Sequence, residues 1–382
     1  MQTTASRRLI RRIVAAAIVT VVSGALAACA PASAESGADE EETSRTAQTV
    51  VDELGREIEL ELPVERAAVA FYYYNVELVR GVGASDRIVA IGADGITTTD
   101  ANEGYWDGID ELPVIGEAGV FNYDAIVEAN PEVLITGSNS PWEEAAEKLE
   151  PFGIPVIVLT GWDPKVFHHG VELLGQVFGE EERADELIGL FDEVDALLDE
   201  RVSDVEPKSV YFENGTENTT GVKGSGWHDI IELAGGTNLF EDIVFGEGEN
   251  TQGTVHTTPV DPATILERDP DLVLRHGVDG FDAGYQPWDV EAAEAKAGEL
   301  VSRPGWSELS AVQDDRVYVV NNFFTSALSK EIGALGLATW LHPEQFEGVD
   351  TEQYFRRWVE DFQETPYIDQ DEYIYHHESG DS

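Results

Sequence analysis

The hydrophobic pattern of this 382-residue chain alternates between short apolar runs and longer stretches of helical period. "AAVAFY" (67–72), "RIVAIG" (87–92), "VLITG" (133–137) and "VIVLT" (156–160) are apolar and bounded by turn residues, as strands buried on both faces should be. Between them, "NVELVRGVG" and "WEEAAEKLEPFG" space their apolar residues for helices. Strands alternating with helices of this length predict an α/β fold with a mainly parallel sheet. A second series begins after Pro207, with "SVYFEN", the helix of "GWHDIIELAGG", "DLVLRHG" and "RVYVVNN". Ser225 is placed to cap that helix, and Gly235 and Gly236 to end it in a left-handed conformation.

An internal match ties the two series together. "DAIVEANPEVLITGS" from Asp124 and "ATILERDPDLVLRHG" from Ala263 align Ile126 with Ile265, Glu128 with Glu267 and Pro131 with Pro270. Each reads as helix, Pro-led turn and buried strand, so two lobes of like topology are expected. Between them one amphipathic pattern runs through Val171, Leu174, Val177, Phe178, Leu187, Leu190, Phe191, Val194, Leu197 and Leu198. Asp163 can cap its start, Pro164 suits the first helical position, and Gly179 is where it can bend. The expected organisation is an N-terminal lobe over 49–163, one long linking helix over 164–203, a C-terminal lobe over 204–345, and a C-terminal helix and acidic tail over 346–382.

The first residues have a different character. "MQTTASRRLIRR" is basic, "IVAAAIVTVVSGALAA" is a short apolar stretch, and Cys29 follows. This order is that of an export signal over 1–28, and "SRRLIRR" carries the arginine pair of twin-arginine export beside the Sec alternative. Cys29 is the only cysteine. Its position directly after the apolar stretch favours modification, and "LAAC" resembles the bacterial lipobox, which implies cleavage before Cys29, lipidation of its thiol and anchoring to the outer face of the cytoplasmic membrane. Residues 29–48 are small, polar and acidic, as a disordered tether should be.

Charge narrows the partners. Asp and Glu number 75 against 23 Lys and Arg, giving a net charge of -52 that would repel nucleic acid. The acids are spread along the chain, a pattern suited to solubility in concentrated salt. The exported part holds no H-E-x-x-H, G-x-S-x-G or cysteine nucleophile, which weighs against the alternative of an exported hydrolytic enzyme. "KGSG" is not a phosphate loop, because no lysine follows its glycines.

In open parallel sheets ligands bind beyond the carboxyl ends of the strands. That rule selects Tyr72, Tyr73 and Tyr74, Ser138 and Asn139, and Trp162 in the first series. In the second it selects Glu213 and Asn214, Arg275 and His276, and Phe323 and Phe324; Lys223, Trp227 and His228 lie at the start of the Gly-Gly-terminated helix. Three consecutive tyrosines cannot share one face, so at least one should reach the cleft or the surface. The planar fork of Arg275 suits anionic oxygens of a ligand, with an ion pair to a carboxylate as its alternative. His276 and His256 could ligate iron or haem, or simply be hydrogen-bonded.

In order, "DELGREIELELPVERAAVA", "NYDAIVEANPEVLITG", "GWHDIIELAGGTNLF" and "RPGWSELSAVQDDRVYVVNN" resemble the helical-backbone class of ABC-importer substrate-binding proteins, the ferric-siderophore, haem and cobalamin group. The likeness spans nearly the whole exported chain. Asp315 departs from the Gly that this family often has before "RVY", and the stretch after Phe346 is unusual. The resemblance implies a monomer without cofactor or catalysis. It would hold an iron(III)–siderophore, or alternatively cobalamin, haem or another metal compound, between two lobes and deliver it to a permease of the siderophore-import type. It also implies a docking acid on each lobe. These fall at Asp124 and, because the repeat partner of Asp124 is Ala263, at Asp261.

Overall fold

The computed structural model describes residues 45–378 except 71–72, 94–95, 97–101, 118, 162–165, 244–256, 279–283, 322 and 325–329. The export signal, Cys29, most of the tether, Tyr72, Trp162, the Asp163–Pro164 start and His256 lie outside the described residues.

The chain enters through an antiparallel hairpin, β1 (Thr46–Val51) and β2 (Glu57–Leu62), whose second strand alternates strictly and buries Ile58, Leu60 and Leu62. Asp52 organises its turn. The buried carboxylate accepts from the amides of Leu54, Arg56 and Val158, and pairs with the Arg56 guanidinium. The first sheet comprises β3 (Ala67–Val69), β4 (Ile88–Gly92), β5 (Val114–Glu117), β6 (Val120–Phe121), β7 (Val133–Thr136) and β8 (Val156–Val158). Its order is β6-β5-β4-β3-β7-β8, parallel throughout except for β6. Helices α1 (Tyr73–Gly81), α2 (Tyr123–Ala129) and α3 (Trp142–Leu149) make the connections.

The linking segment differs from the single long helix that the amphipathic pattern predicts. It forms two helices, α4 (Phe167–Phe178) and α5 (Glu181–Val202). Gly179 takes a left-handed φ of 72° and ends α4, and the chain folds back until Gly175 lies so close to Ala184 that a Cβ there would collide. The apolar positions already showed the break, because none falls between Phe178 and Ala184. The bridging rod is therefore α5 alone, about 33 Å long at 1.5 Å per residue.

The second sheet comprises β9 (Lys208–Glu213), β11 (Gly236–Asn238), β13 (Leu272–His276), β14 (Val317–Val320) and β15 (Ile374–His377), in the order β11-β9-β13-β14-β15, with only β15 antiparallel. A ribbon of β10 (Thr219–Gly221) and β12 (Thr257–Pro259) lies beside it. Its helices are α6 (Gly226–Leu233), α7 (Pro262–Arg268), α8 (Val290–Val301), α9 (Ser310–Gln313) and α10 (Lys330–Leu341). Ser225 caps α6 by accepting from the His228 amide, and Gly235 follows in the left-handed region, as the sequence predicts.

The internal repeat is structural. α2 and α7 both begin at an acceptor side chain, Asn122 and Asp261, and both end at a left-handed residue, Asn130 and Asp269. Each then turns through a proline into a central strand, β7 or β13, with parallel neighbours on both sides. Asp315 also sits at a positive φ of 53°, the reason glycine suits that position in the family pattern.

The segment read as a C-terminal helix and acidic tail is built into the body. After α11 (Glu352–Arg357) and a π-turn at Trp358–Phe362, β15 completes the second sheet. Phe355, Trp358, Phe362 and Tyr373 are buried, and Trp358 meets Phe191 of α5 edge-on. One apolar cluster runs continuously from the hairpin through α4 and α5 to α6, α10 and Trp358.

Candidate functional site

At the first sheet, the apolar strands β3 and β7 stop at buried positions and hand over to polar and aromatic residues. Tyr73 and Tyr74 open α1, half-buried, with rings stacked 4.2 Å apart. Ser138 is held by Thr160: their hydroxyls are 2.7 Å apart, and Thr160 is fixed in turn by the Glu53 carboxylate through its amide and hydroxyl. Asn139 differs. Its side-chain nitrogen and oxygen are both shielded from solvent and have no hydrogen-bond partner. The hydroxyls of Thr136 and Ser140 are in the same condition.

At the second sheet the strand ends are saturated. The Glu213 carboxylate is wholly buried and accepts five hydrogen bonds: from Arg275, twice from Arg303, from the Tyr211 hydroxyl and from the Asn218 amide. Arg275, 3% exposed, spends four of its five N–H groups on the carbonyls of Gly277, Asn214 and Gly215 and on Glu213. Burial pulls its pKa below the ordinary value, and the Glu213 charge opposes that pull. Burial also raises the Tyr211 hydroxyl, and Glu213 adds to the rise. The ligand fork expected at Arg275 thus faces the protein's own oxygens, and the ion-pair alternative is the geometry found. A polar hollow of about 520 Å³ opens beside this network, where Lys296, Arg275 and Arg303 are balanced by Glu217 and Glu299.

Trp227 is stacked on Phe212 at 4.4 Å and lies 4.6 Å from the His276 ring, whose Nδ1 is 3.2 Å from Asn214 Oδ1. His228 is buried, with Nε2 3.3 Å from the Glu232 carboxylate. Lys223 is exposed in the turn before α6. The buried Lys330 side chain lies across Gly226, where a Cβ would have to push aside the flexible end of that lysine.

Phe323 and Phe324 part ways. Phe324 is core, packed on Phe355 and against Gly336. Phe323 enters an aromatic chain that joins the two sets of strand ends. Tyr73 meets Trp106 at 6.3 Å, Trp106 meets Tyr105 at 4.6 Å, and Tyr105 meets both Tyr285 and Phe323, at 5.3 and 5.1 Å. Arg80 lies over Tyr105 and Trp106, and donates to the carbonyls of Tyr105 and Gln363. Tyr105 donates to the buried Glu77, and burial, with Glu77 next, raises its pKa well above the ordinary tyrosine value. Gln363 donates to the Glu77 carbonyl, so the C-terminal segment reaches the first lobe.

A buried aromatic seam therefore connects the two sets of strand ends. Sequence reasoning missed Tyr105, Trp106 and Tyr285, which follow no strand directly. Their signal was two large aromatics inside the glycine-rich "EGYWDG" and a third in "AGYQPW". Asp124 and Asp261 are exposed at the starts of α2 and α7.

Comparison with known proteins agrees with this architecture. Residues 69–322 match the family described as Periplasmic binding protein. The chain is 23% identical over 282 residues, 72% of its length and 79% of the relative's, to the uncharacterized ABC transporter substrate-binding lipoprotein YvrC of Bacillus subtilis. It is 20% identical over 288 residues, 68% of its length and 74% of the relative's, to the molybdate-binding protein MolA of Haemophilus influenzae. The crystal structure of the TroA-like periplasmic binding protein FepB from Veillonella parvula superposes with a TM-score of 0.70 at 20% identity, covering 86% of this chain and 99% of that one.

Proposed function

The chain belongs to the periplasmic binding protein family, and from that premise we propose that its cargo is an iron(III)–siderophore held between the two rims. It is a substrate-binding protein of an ABC transporter, and the solute-binding character of its relatives fits a role without catalysis.

The supporting observation is how the rim cations are used. Arg275 and Arg80, both buried, already donate to protein oxygens. What the first rim offers instead is the half-buried aromatic pair Tyr73 and Tyr74, backed by the buried Trp106, and the open hydrogen-bonding capacity of Asn139. That combination suits a large organic chelate, whose ligand atoms have already neutralised most of the metal's charge. A bare ion would need convergent charged donors. Tyr72, Trp162, Lys223, Trp227, His228, His276 and Phe323 complete the proposed surroundings.

Recognition is binding without chemistry. α5, the aromatic seam and the Gln363 contacts all tie one lobe to the other, so affinity would come from a largely preformed cleft. Lipidation at Cys29 would hold the protein at the outer face of the membrane, and Asp124 and Asp261 would meet arginines of the permease. A second reading, an oxyanion cargo, draws on the relation to the molybdate-binding MolA.

Tryptophan fluorescence titrated with ferric hydroxamate and ferric catecholate siderophores, haem, cobalamin and molybdate separates these readings. Saturable quenching by a ferric siderophore is the expected result. Saturation by molybdate alone would replace the chelate with the oxyanion, and saturation by haem or cobalamin alone would change the class of chelate.

A further inference from the structure

A second cavity, of about 500 Å³, shares no residue with either rim. It lies where α4 and α5 meet α6 and α10. Phe167 and Phe191, edge-on at 4.5 Å, form an apolar wall. Asp195, Asp199, Asp229, Glu232 and Glu331 bring five carboxylates to it, and among the described lining residues there is no lysine or arginine.

Acidity alone would mean little in so acidic a chain. The second observation is that two of these carboxylates are poorly satisfied: Glu331 is buried, and Asp195 is half-buried with one oxygen shut off from solvent. Glu331 is 7% exposed and lines the cavity, and among the described residues its carboxylate is met by its own backbone amide and by the neighbouring charge of Lys330. Asp195 Oδ1 is shielded from solvent and accepts no hydrogen bond. A carboxylate withdrawn from water with too few donors is costly, and two in one cavity compound the cost. Among the described residues no three acidic or histidine groups converge closely enough to hold a metal ion. An ammonium group needs no such convergence, and an aromatic wall attracts it as well as the hydrocarbon attached to it.

We propose that this cavity binds a small organic cation of the alkylammonium class, its charged head between Glu331 and Asp195 and its hydrocarbon part against Phe167 and Phe191. The site is independent of the cargo assigned to the rims. Protons should compete with the cation, because burial, with Asp195 adding to it, pushes the Glu331 carboxyl up to about 7. The groups facing it are His168 from α4, Asp195 and Asp199 from α5, Asp229 and Glu232 from α6, and Lys330 on its own helix. Asp195 is also raised, by burial first, and so reinforces the same dependence.

Isothermal titration calorimetry of the exported chain at low salt tests this, with n-butylammonium, tetramethylammonium and calcium chlorides as separate titrants. One saturable site for n-butylammonium is expected, strengthening at least threefold from pH 6 to pH 8. Glu331→Gln should weaken it at least tenfold at pH 8. Asp195→Asn, at a half-buried position, should weaken it as well and carries the test if Glu331→Gln does not fold. Absence of saturable heat with both ammonium salts overturns the proposal, as does unchanged affinity in the folded variants. Calcium binding with both ammonium salts silent overturns it in favour of an inorganic cation. Binding of a ferric siderophore measured in the same variants should not change, which keeps the two sites distinguishable.

Discussion

Glu213 and Glu331 are both glutamates removed from water, and they are finished in opposite ways. Glu213, at the second lobe's rim, accepts five hydrogen bonds, three of them from two arginines. Glu331, at the joint between the lobes, is met among the described residues by its own backbone amide and the neighbouring charge of Lys330. The same residue type at the same depth is scaffold in one place and an open valence in the other. The difference locates function better than residue identity does, because proteins satisfy buried polar groups unless something else is to satisfy them. Asn139 falls on the open side of this division and Arg275 on the closed side.

The sharpest way to break the comparison is Glu213→Ala. Removing one partner leaves two guanidinium groups without their shared carboxylate, and about 3–5 kcal/mol of stability should be lost in a denaturant titration. A near-silent variant would mean that the network is not structural. Glu331→Gln should act in the other direction, and only at higher pH. The folded carboxyl titrates near 7 against an ordinary 4.5, so the folded chain keeps a proton that the unfolded chain has released. Stability therefore falls as pH rises from 4.5 to 7, and the full penalty is present above 7. The glutamine variant should gain up to about 3 kcal/mol at pH 8 and nothing at pH 4, as read from paired denaturation curves.

Asn139→Ala sharpens the contrast at the rim. It removes unpartnered atoms, so stability should hold while cargo affinity drops about tenfold, near 1.4 kcal/mol, in the fluorescence titration. Ser225→Ala supplies a neutral reference. Losing the α6 cap should cost about 1 kcal/mol of thermal or denaturant stability.

Much of the framework was legible in the order of residues. Helix-turn-strand grammar repeats every time local spacing dictates it, so β7 and β13 could be aligned through Pro131 and Pro270 before any coordinates. The α6 boundaries follow from Ser225 and Gly235 for the same local reason. What could not be read depends on contacts distant in sequence. Arg275 meets Glu213 across 62 positions, and nothing in "DLVLRHG" indicates which of many acids is its neighbour. Tyr105 and Tyr285 lie in loops with no period, so their meeting leaves no pattern. Gly179 lay between legible and illegible: the residue signalled a change of direction, but a bend and a full reversal share that signal.

The last strand, β15, and the Gln363 contacts carry one more consequence. The final residues of the chain complete the second sheet and also grip α1 of the first lobe. During synthesis the earlier lobe can assemble while the remainder is still being made. The mutual alignment of the halves must wait until this segment has been made. A chain interrupted before Trp358 would keep most of both halves yet lose the piece that aligns them.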